Sequence, residues 1–200
     1  MLNKLKYFWQ QSWLVIVCSF FFGLLIALTN VALSERIREN EIQKLKTKMS
    51  SLFPQAQAFE KISELTLRSP RGDSYDSVFY EAVGENQQTL GWAFRCKGSG
   101  FADQIVLVVG MDSEMDTLTG FAILSSNETP GFGDRISNDY FQDQFEQSPA
   151  ATLELMKTGN PDKKDQQIIA VTGATISSQA VVDIINKGLS ELKSKVQQKE

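Results

Sequence analysis

Two hundred residues suffice for a single domain with an anchor and fall short of two large domains. Hydrophobic residues make up 42% and charged residues 22%, the balance of an ordered globular chain. The net charge of -4 comes with no basic face, which excludes a nucleic-acid partner. With no histidine in the chain, Ser-His-Asp hydrolysis, His-ligated zinc and His-ligated haem are excluded. Cys18 and Cys96 are the only cysteines. They are too few for an iron–sulfur cluster or a structural zinc site, and a disulfide between them is not expected. Any redox chemistry therefore requires an organic cofactor.

The stretch Trp13 to Leu33 carries no charge, and as a helix it covers roughly 30 Å, the thickness of a hydrocarbon core. Trp9 and Trp13 stand at its leading edge, where indoles favour the interface. A cleaved signal peptide would also begin with a basic region such as Lys4 and Lys6. Its apolar run is usually shorter, however, and ends at a small-residue cleavage site. An uncleaved single-pass anchor in the membrane lipid is therefore expected. Lys4 and Lys6 favour a cytoplasmic N-terminus, but Arg36, Arg38, Lys44, Lys46 and Lys48 follow the span. Charge counting leaves the orientation open.

Ile37, Ile42, Leu45, Met49 and Leu52 are spaced as on a helix that continues from the membrane and stops before Pro54. Arg68 to Asp73 is turn-rich and predicts a loop. From there the period changes to two. Val78–Val83, Leu90–Cys96, Ile105–Val109 and Leu118–Leu124 predict strands joined by short Gly, Asp, Asn and Ser turns, hence an antiparallel meander. Cys96, Tyr80, Trp92 and Phe94 are expected to be core side chains. A Gly- and Pro-rich loop, a short helix over Asn138–Glu146 and a last strand at Ile168–Val171 follow. Val181, Ile184, Ile185, Leu189, Leu192 and Val196 then mark an amphipathic terminal helix from Ser178, on which Asp183 and Lys187 are spaced to pair. The predicted fold class is α+β: a single N-terminal transmembrane helix, then a mainly antiparallel-sheet domain with a C-terminal amphipathic helix.

Two runs carry chemistry. Thr172-Gly-Ala-Thr-Ile-Ser-Ser178 passes from strand to tight turn to helix. Gly173 and Ala174 leave the backbone accessible, and Thr175, Ser177 and Ser178 are read at capping positions just ahead of the helix. A helix N-terminus offers free N–H groups and partial positive charge, which suit a phosphate. By physics alone an ordinary capped helix fits as well. Glu128-Thr-Pro-Gly-Phe-Gly133 contains a Pro-Gly turn, and Gly131 and Gly133 allow backbone N–H groups to face a ligand. Thr129 offers a hydrogen bond to a ring edge. An ordinary turn again fits as well.

The first run resembles the Ser/Thr-Gly-Ala-Thr flavinylation motif of FMN-binding domains. In that family the second threonine is joined to the FMN phosphate by a phosphoester bond, made by a separate flavin transferase. By position, the acceptor is Thr175. The second run, Glu128, Thr129, Pro130, Gly131, Phe132 and Gly133, is similar to the flavin-lining loop of two proteins. These are the G subunit of the Rnf electron-transport complex and the C subunit of the sodium-pumping NADH:quinone reductase. Phe132 stands where leucine is usual. A further departure lies three residues before Thr172, where the family often has aspartate and this chain has Ile169; the nearest aspartate is Asp165. The substitution weakens transferase recognition or shows the aspartate to be dispensable.

The resemblance implies a covalent-FMN electron carrier in a multisubunit inner-membrane oxidoreductase that couples ferredoxin/NAD electron transfer to Na⁺ or H⁺ transport. It also implies partner subunits and a transferase. The expected layout is a cytoplasmic N-terminus (1–12), a membrane helix (13–33), a membrane-proximal helix (34–54) and an extracytoplasmic FMN-binding domain (55–200). The flavin subunit of another membrane reductase, or an anchored sensor holding its ligand noncovalently, are the alternatives.

Overall fold

The computed structural model of the chain describes the backbone of residues 2–197 and the side chains of residues 12–195. The side chains of Lys4, Lys6, Trp9 and Val196 lie outside the described residues. By contacts the chain divides into two units, Met1–Gln43 and Lys44–Glu200.

The described residues of the first unit form one helical stretch. It belongs to α1 (Leu2–Leu52), which runs without a break through the apolar segment and the charged one after it. None of the side chains from Trp13 to Leu33 is buried. A helix apolar on every side satisfies its own backbone and leaves its side chains to a nonaqueous surrounding. Among the described residues it is the one helix long and apolar enough to cross a membrane.

The second unit begins with the end of α1. The Phe53 N–H still bonds to Met49 O (2.9 Å); Pro54 then disfavours helical geometry at the residue before it, and the chain turns. Five strands follow in spatial order β1-β2-β3-β4-β5, each antiparallel to the next. They are β1 (Ala58–Arg68), β2 (Ser74–Val83), β3 (Thr89–Ser99), β4 (Gln104–Asp112) and β5 (Leu118–Ser126). The expected meander is observed, with longer strands and one more of them. The additional strand, β1, lacks an apolar alternation because Glu60, Lys61, Glu64 and Arg68 occupy it. On an edge strand, charge on an exposed position is normal and deters further pairing.

The two sheet faces carry different covers. On one, Met49 and Phe53 pack with Ala82, Ala93, Val108 and Ala122. The bed is shallow because small residues pair across it: Ala82 with Gly91, Ala93 with Gly110, Gly110 with Gly120. A β-carbon on Gly91 would lie 2.6 Å from the Phe53 ring and one on Gly110 3.1 Å from it, so these glycines make the seat for Phe53. The other face holds the main core: Leu67, Phe79, Phe94, Cys96, Leu107 and Val109 lie under α3 (Thr175–Gln197) through Val181, Ile184, Ile185, Leu189 and Leu192. Cys96 is fully buried, as is Phe94, while Trp92 stacks on Phe79 at 5.1 Å. Tyr80 is half-buried.

Between sheet and α3, a short helix α2 (Asp139–Gln142), flanked by 3₁₀ turns, replaces the longer helix expected there. Phe141 and Phe145 from this region meet Phe121 in edge-to-face contacts, with centroids 4.6–6.2 Å apart. β6 (Glu154–Met156) and β7 (Gln167–Ile169) form a small parallel pair. Two expectations need correction. α3 begins at Thr175, three residues before Ser178. Asp183 and Lys187 do not pair: Lys187 bonds Glu191 at 2.9 Å, and Asp183 accepts from Gln179 Nε2 at 2.9 Å. The lysine therefore interacts with the acid four residues on, not four residues back.

Candidate functional site

β7 carries the chain up to the turn at Thr172 and Gly173. Gly173 has φ +83°, a left-handed conformation that an L side chain resists. The turn closes with Ala174 N–H on Val171 O (2.9 Å), and the first helical bond runs from Ser178 N–H to Ala174 O (2.8 Å). Ala174 is thus the N-cap, and Thr175 is the first residue of α3. The reading of Thr175, Ser177 and Ser178 as caps ahead of the helix is corrected. The two serine hydroxyls are buried and engaged elsewhere: Ser178 Oγ accepts Val171 N–H (3.1 Å), and Ser177 Oγ donates to Glu128 Oε2 (2.5 Å). Thr175 alone of the three faces solvent.

The other motif follows β5. Phe132 N–H bonds to Thr129 O (3.1 Å), closing a turn with Pro130 second and Gly131 third at φ +78°. That is the type II pattern. Gly133 is buried against Glu128 and Ser177. Arg135 Nη1 donates to Thr172 O (3.2 Å), tying the two motif segments together at their rim.

Both motifs open onto one cleft of about 510 Å³, lined by Thr129, Phe132 and Gly133 from one side and by Gly173 to Ser177 from the other. Its size is within the roughly 300–1,000 Å³ of small-molecule sites. Phe101 completes the wall. Phe101, Phe132 and Ile176 are each about three-fifths exposed (62%, 61% and 61%). Large apolar side chains held in the open around a cleft suit a flat aromatic ligand. Thr175 lines the same cleft as the first residue of α3, where the N-terminus of a long helix favours negative charge. The arrangement fits an aromatic group on a phosphate tether. Thr172, Ser178, Glu128, Pro130 and Gly131 do not line the cleft; they shape the segments that do. Phe101, Ile176 and Arg135 join the site without having been expected there. An aromatic residue within a glycine turn, Gly98 to Phe101, was the available signal for the first.

A second cleft of about 480 Å³ lies across Thr175 and Ile176, with Arg71, Ser99, Gln179 and Asp183 on its walls. The position of the absent aspartate, Ile169, is 6% exposed. Its side chain packs on Gly159. Its backbone is held by Gln144, whose Oε1 accepts Ile169 N–H (2.7 Å) and whose Nε2 donates to Ile169 O (3.2 Å). Asp165 is engaged in its own turn, accepting Gln167 N–H (2.8 Å) and pairing with Lys163.

A family model described as the FMN-binding domain matches residues 100–190, which contain both motifs. The G subunit of the ion-translocating oxidoreductase complex of Methanosarcina acetivorans is 32% identical over 88% of this chain and 89% of its own. The G subunit of the proton-translocating ferredoxin:NAD(+) oxidoreductase complex of Clostridium ljungdahlii is 30% identical over 90% and 88%. Among solved structures, NqrC of Shewanella oneidensis shares the fold with TM-score 0.55 and 18% identity, covering 67% of this chain and 72% of that one. The chain belongs to the family of G subunits of ion-translocating oxidoreductase complexes, with an FMN-binding domain that contains the cleft.

Proposed function

We propose that this chain is the FMN-bearing electron-transfer subunit of a membrane complex that moves electrons between ferredoxin and NAD and couples the transfer to ion transport. Its relatives' names carry the ferredoxin and NAD part of this reading. The observation that supports the site is the meeting of the two motifs in one apolar-rimmed cleft with an exposed threonine at a helix N-terminus. Bound flavin would supply a group that takes up electrons in pairs and releases them singly. The residues of this chain do the rest. Thr175 Oγ1 bears the phosphate as an ester, installed by a flavin transferase, and the start of α3 stabilises its charge. Phe101, Phe132 and Ile176 cover the ring and limit water, and Thr129 presents its polar groups to the ring edge.

The span 13–33 crosses the cytoplasmic membrane once, residues 34–54 lead out of it, and the domain from residue 55 lies on the extracytoplasmic side. A covalent tether retains the cofactor where it is not readily replaced. Since the span carries no charge, this chain alone offers no ion path, and translocation belongs to partner subunits.

Denaturing electrophoresis viewed under ultraviolet light tests the attachment. Chain from cells co-expressing the transferase gives a fluorescent band, and Thr175→Ala abolishes it. Absence of the band from the unaltered chain refutes covalent attachment.

A further inference from the structure

We infer that Glu128 is a positioning residue whose buried carboxylate clamps together the three segments walling the cleft and sets the potential of the flavin held there. The second half rests on the FMN reading above.

Glu128 is 5% exposed and has no place on the cleft surface. Oε1 accepts Ala102 N–H at 3.0 Å and Asp103 N–H at 3.4 Å, and Oε2 accepts the Ser177 hydroxyl at 2.5 Å. The two amides can only donate and the Ser177 hydroxyl is oriented as a third donor, so all three hydrogen bonds converge on the carboxyl oxygens. The partners lie on three different stretches of chain. Ala102 and Asp103 end the turn that carries Phe101, Ser177 lies in the first turn of α3 beside Thr175, and Glu128 opens the loop that carries Thr129, Phe132 and Gly133. One side chain therefore fixes the distances between all the walls.

Two glycines make room for it. A β-carbon at Gly133 would lie 2.6 Å from Oε2 and 2.7 Å from Ser177 Oγ, and one at Gly100 would collide with Oε1. Asn127 reinforces the bridge by donating from Nδ2 to Asp103 Oδ2 (2.8 Å). A fixed negative charge behind the wall, in a place that excludes water, opposes the added electron density of reduced flavin and lowers its potential.

The test uses the full-length chain in detergent, with and without co-expressed transferase. Glu128→Gln keeps the shape and removes the charge. Its flavin midpoint potential should rise, changing the reduced-to-oxidised ratio at fixed poise by about threefold or more, about 14 mV for a two-electron couple. Glu128→Ala removes the clamp. In flavin-free chain the Ala102 and Asp103 amides should exchange about tenfold faster, and in loaded chain the flavin fluorescence anisotropy should fall. If Glu128→Ala fails to fold, Ser177→Ala serves instead: it frees the helix start, so anisotropy falls while Ala102 and Asp103 stay protected. An unchanged potential in Glu128→Gln overturns the electrostatic half. Unchanged exchange in Glu128→Ala, or unchanged anisotropy in Ser177→Ala, overturns the clamp. A wild-type chain that carries no flavin at all, with neither a fluorescent band nor flavin released on denaturation, refutes the FMN reading instead, and amide exchange then decides the clamp by itself.

Discussion

Gly131 and Gly133 stand two residues apart in the same loop for different physical reasons, and substitution separates them. Gly131 has φ +78° and nothing within 4 Å of where a β-carbon would go. Alanine there meets only backbone strain, about 1–2 kcal/mol, and asparagine, which tolerates that conformation, recovers most of the loss. Gly133 has no such conformation to protect, but its β-carbon position lies 2.6 Å from Glu128 Oε2 and 2.7 Å from Ser177 Oγ. Both atoms are buried and bonded to each other, so neither yields without breaking a charge-assisted hydrogen bond of about 1.5–3 kcal/mol. For a domain of this size Gly133→Ala should lower Tm by roughly 3–12 °C, and Gly133→Asn should be worse still. Thermal unfolding of the full-length chain in detergent, followed by circular dichroism, reads the series. Two results refute the reasoning: Gly133→Ala no more harmful than Gly131→Ala, or asparagine no better than alanine at 131.

Three further outcomes follow from the packing and the charges. Gly188 lets α3 approach β3 so closely that an added methyl would strike Cys96 Sγ and lie 3.0 Å from the Phe94 ring. Gly188→Ala should therefore lower the urea midpoint, its overpacking cost of about 1–3 kcal/mol exceeding the helix-propensity gain of about 1 kcal/mol; Cys96→Ala should relieve part of the loss in a double-mutant cycle. Burial pushes the Cys96 thiol well above its ordinary range, against a smaller opposing effect of its hydrogen bond with Tyr75. Iodoacetamide at mildly alkaline pH should leave Cys96 unlabelled in the native chain and label it in urea, as mass spectrometry of the peptide will show. At Asp112, partial burial raises the carboxyl pKa, but hydrogen bonds from the Thr117 side chain and the Asp116 and Thr117 amides outweigh it and hold it below its ordinary 3.8. A depressed native pKa means stabilisation that is present above that ordinary value and lost as pH falls through the lower native one. Between about pH 5 and pH 3, Tm of Asp112→Asn should fall less steeply than that of the wild type.

The middle of the sheet is legible because Leu90–Cys96 and Ile105–Val109 are patterned for a two-sided strand and the turns between them use turn residues. β1 is not, because only its pairing with β2 makes a strand of a segment whose sole buried side chain is Leu67. β6 has three residues and a parallel partner distant in sequence, beyond any local signal. The start of α3 is misplaced by local pattern because Ser177 and Ser178 look like caps. Their hydroxyls are instead spent on Glu128 and Val171, a choice made by tertiary contact. The two motifs are identifiable by resemblance, yet their separate jobs are not. Glu128 was expected to touch the ring and lies behind the wall, while Phe101, which belongs to neither motif, and Ile176, the apolar residue within the Thr172–Ser178 run, stand on it.

About forty residues separate the motifs in sequence, and the cleft exists because that intervening stretch returns the chain to where it left. Ile136, Phe141 and Phe145 are buried, anchoring the outgoing segment to β5 through Phe121. Gln144 then grips both polar groups of the Ile169 backbone, three residues before the Thr172 turn, and Arg135 reaches Thr172 O from the rim. Glu128 closes the circuit by bonding Ser177 on the far side of that turn. Thr175 is thus bracketed by a buried amide upstream and a buried carboxylate downstream, neither of which faces the cleft. A position three residues before the motif that is committed to Gln144 and packed on Gly159 holds its turn through the backbone. For the shape of that turn, at least, an aspartate side chain at Ile169 is dispensable.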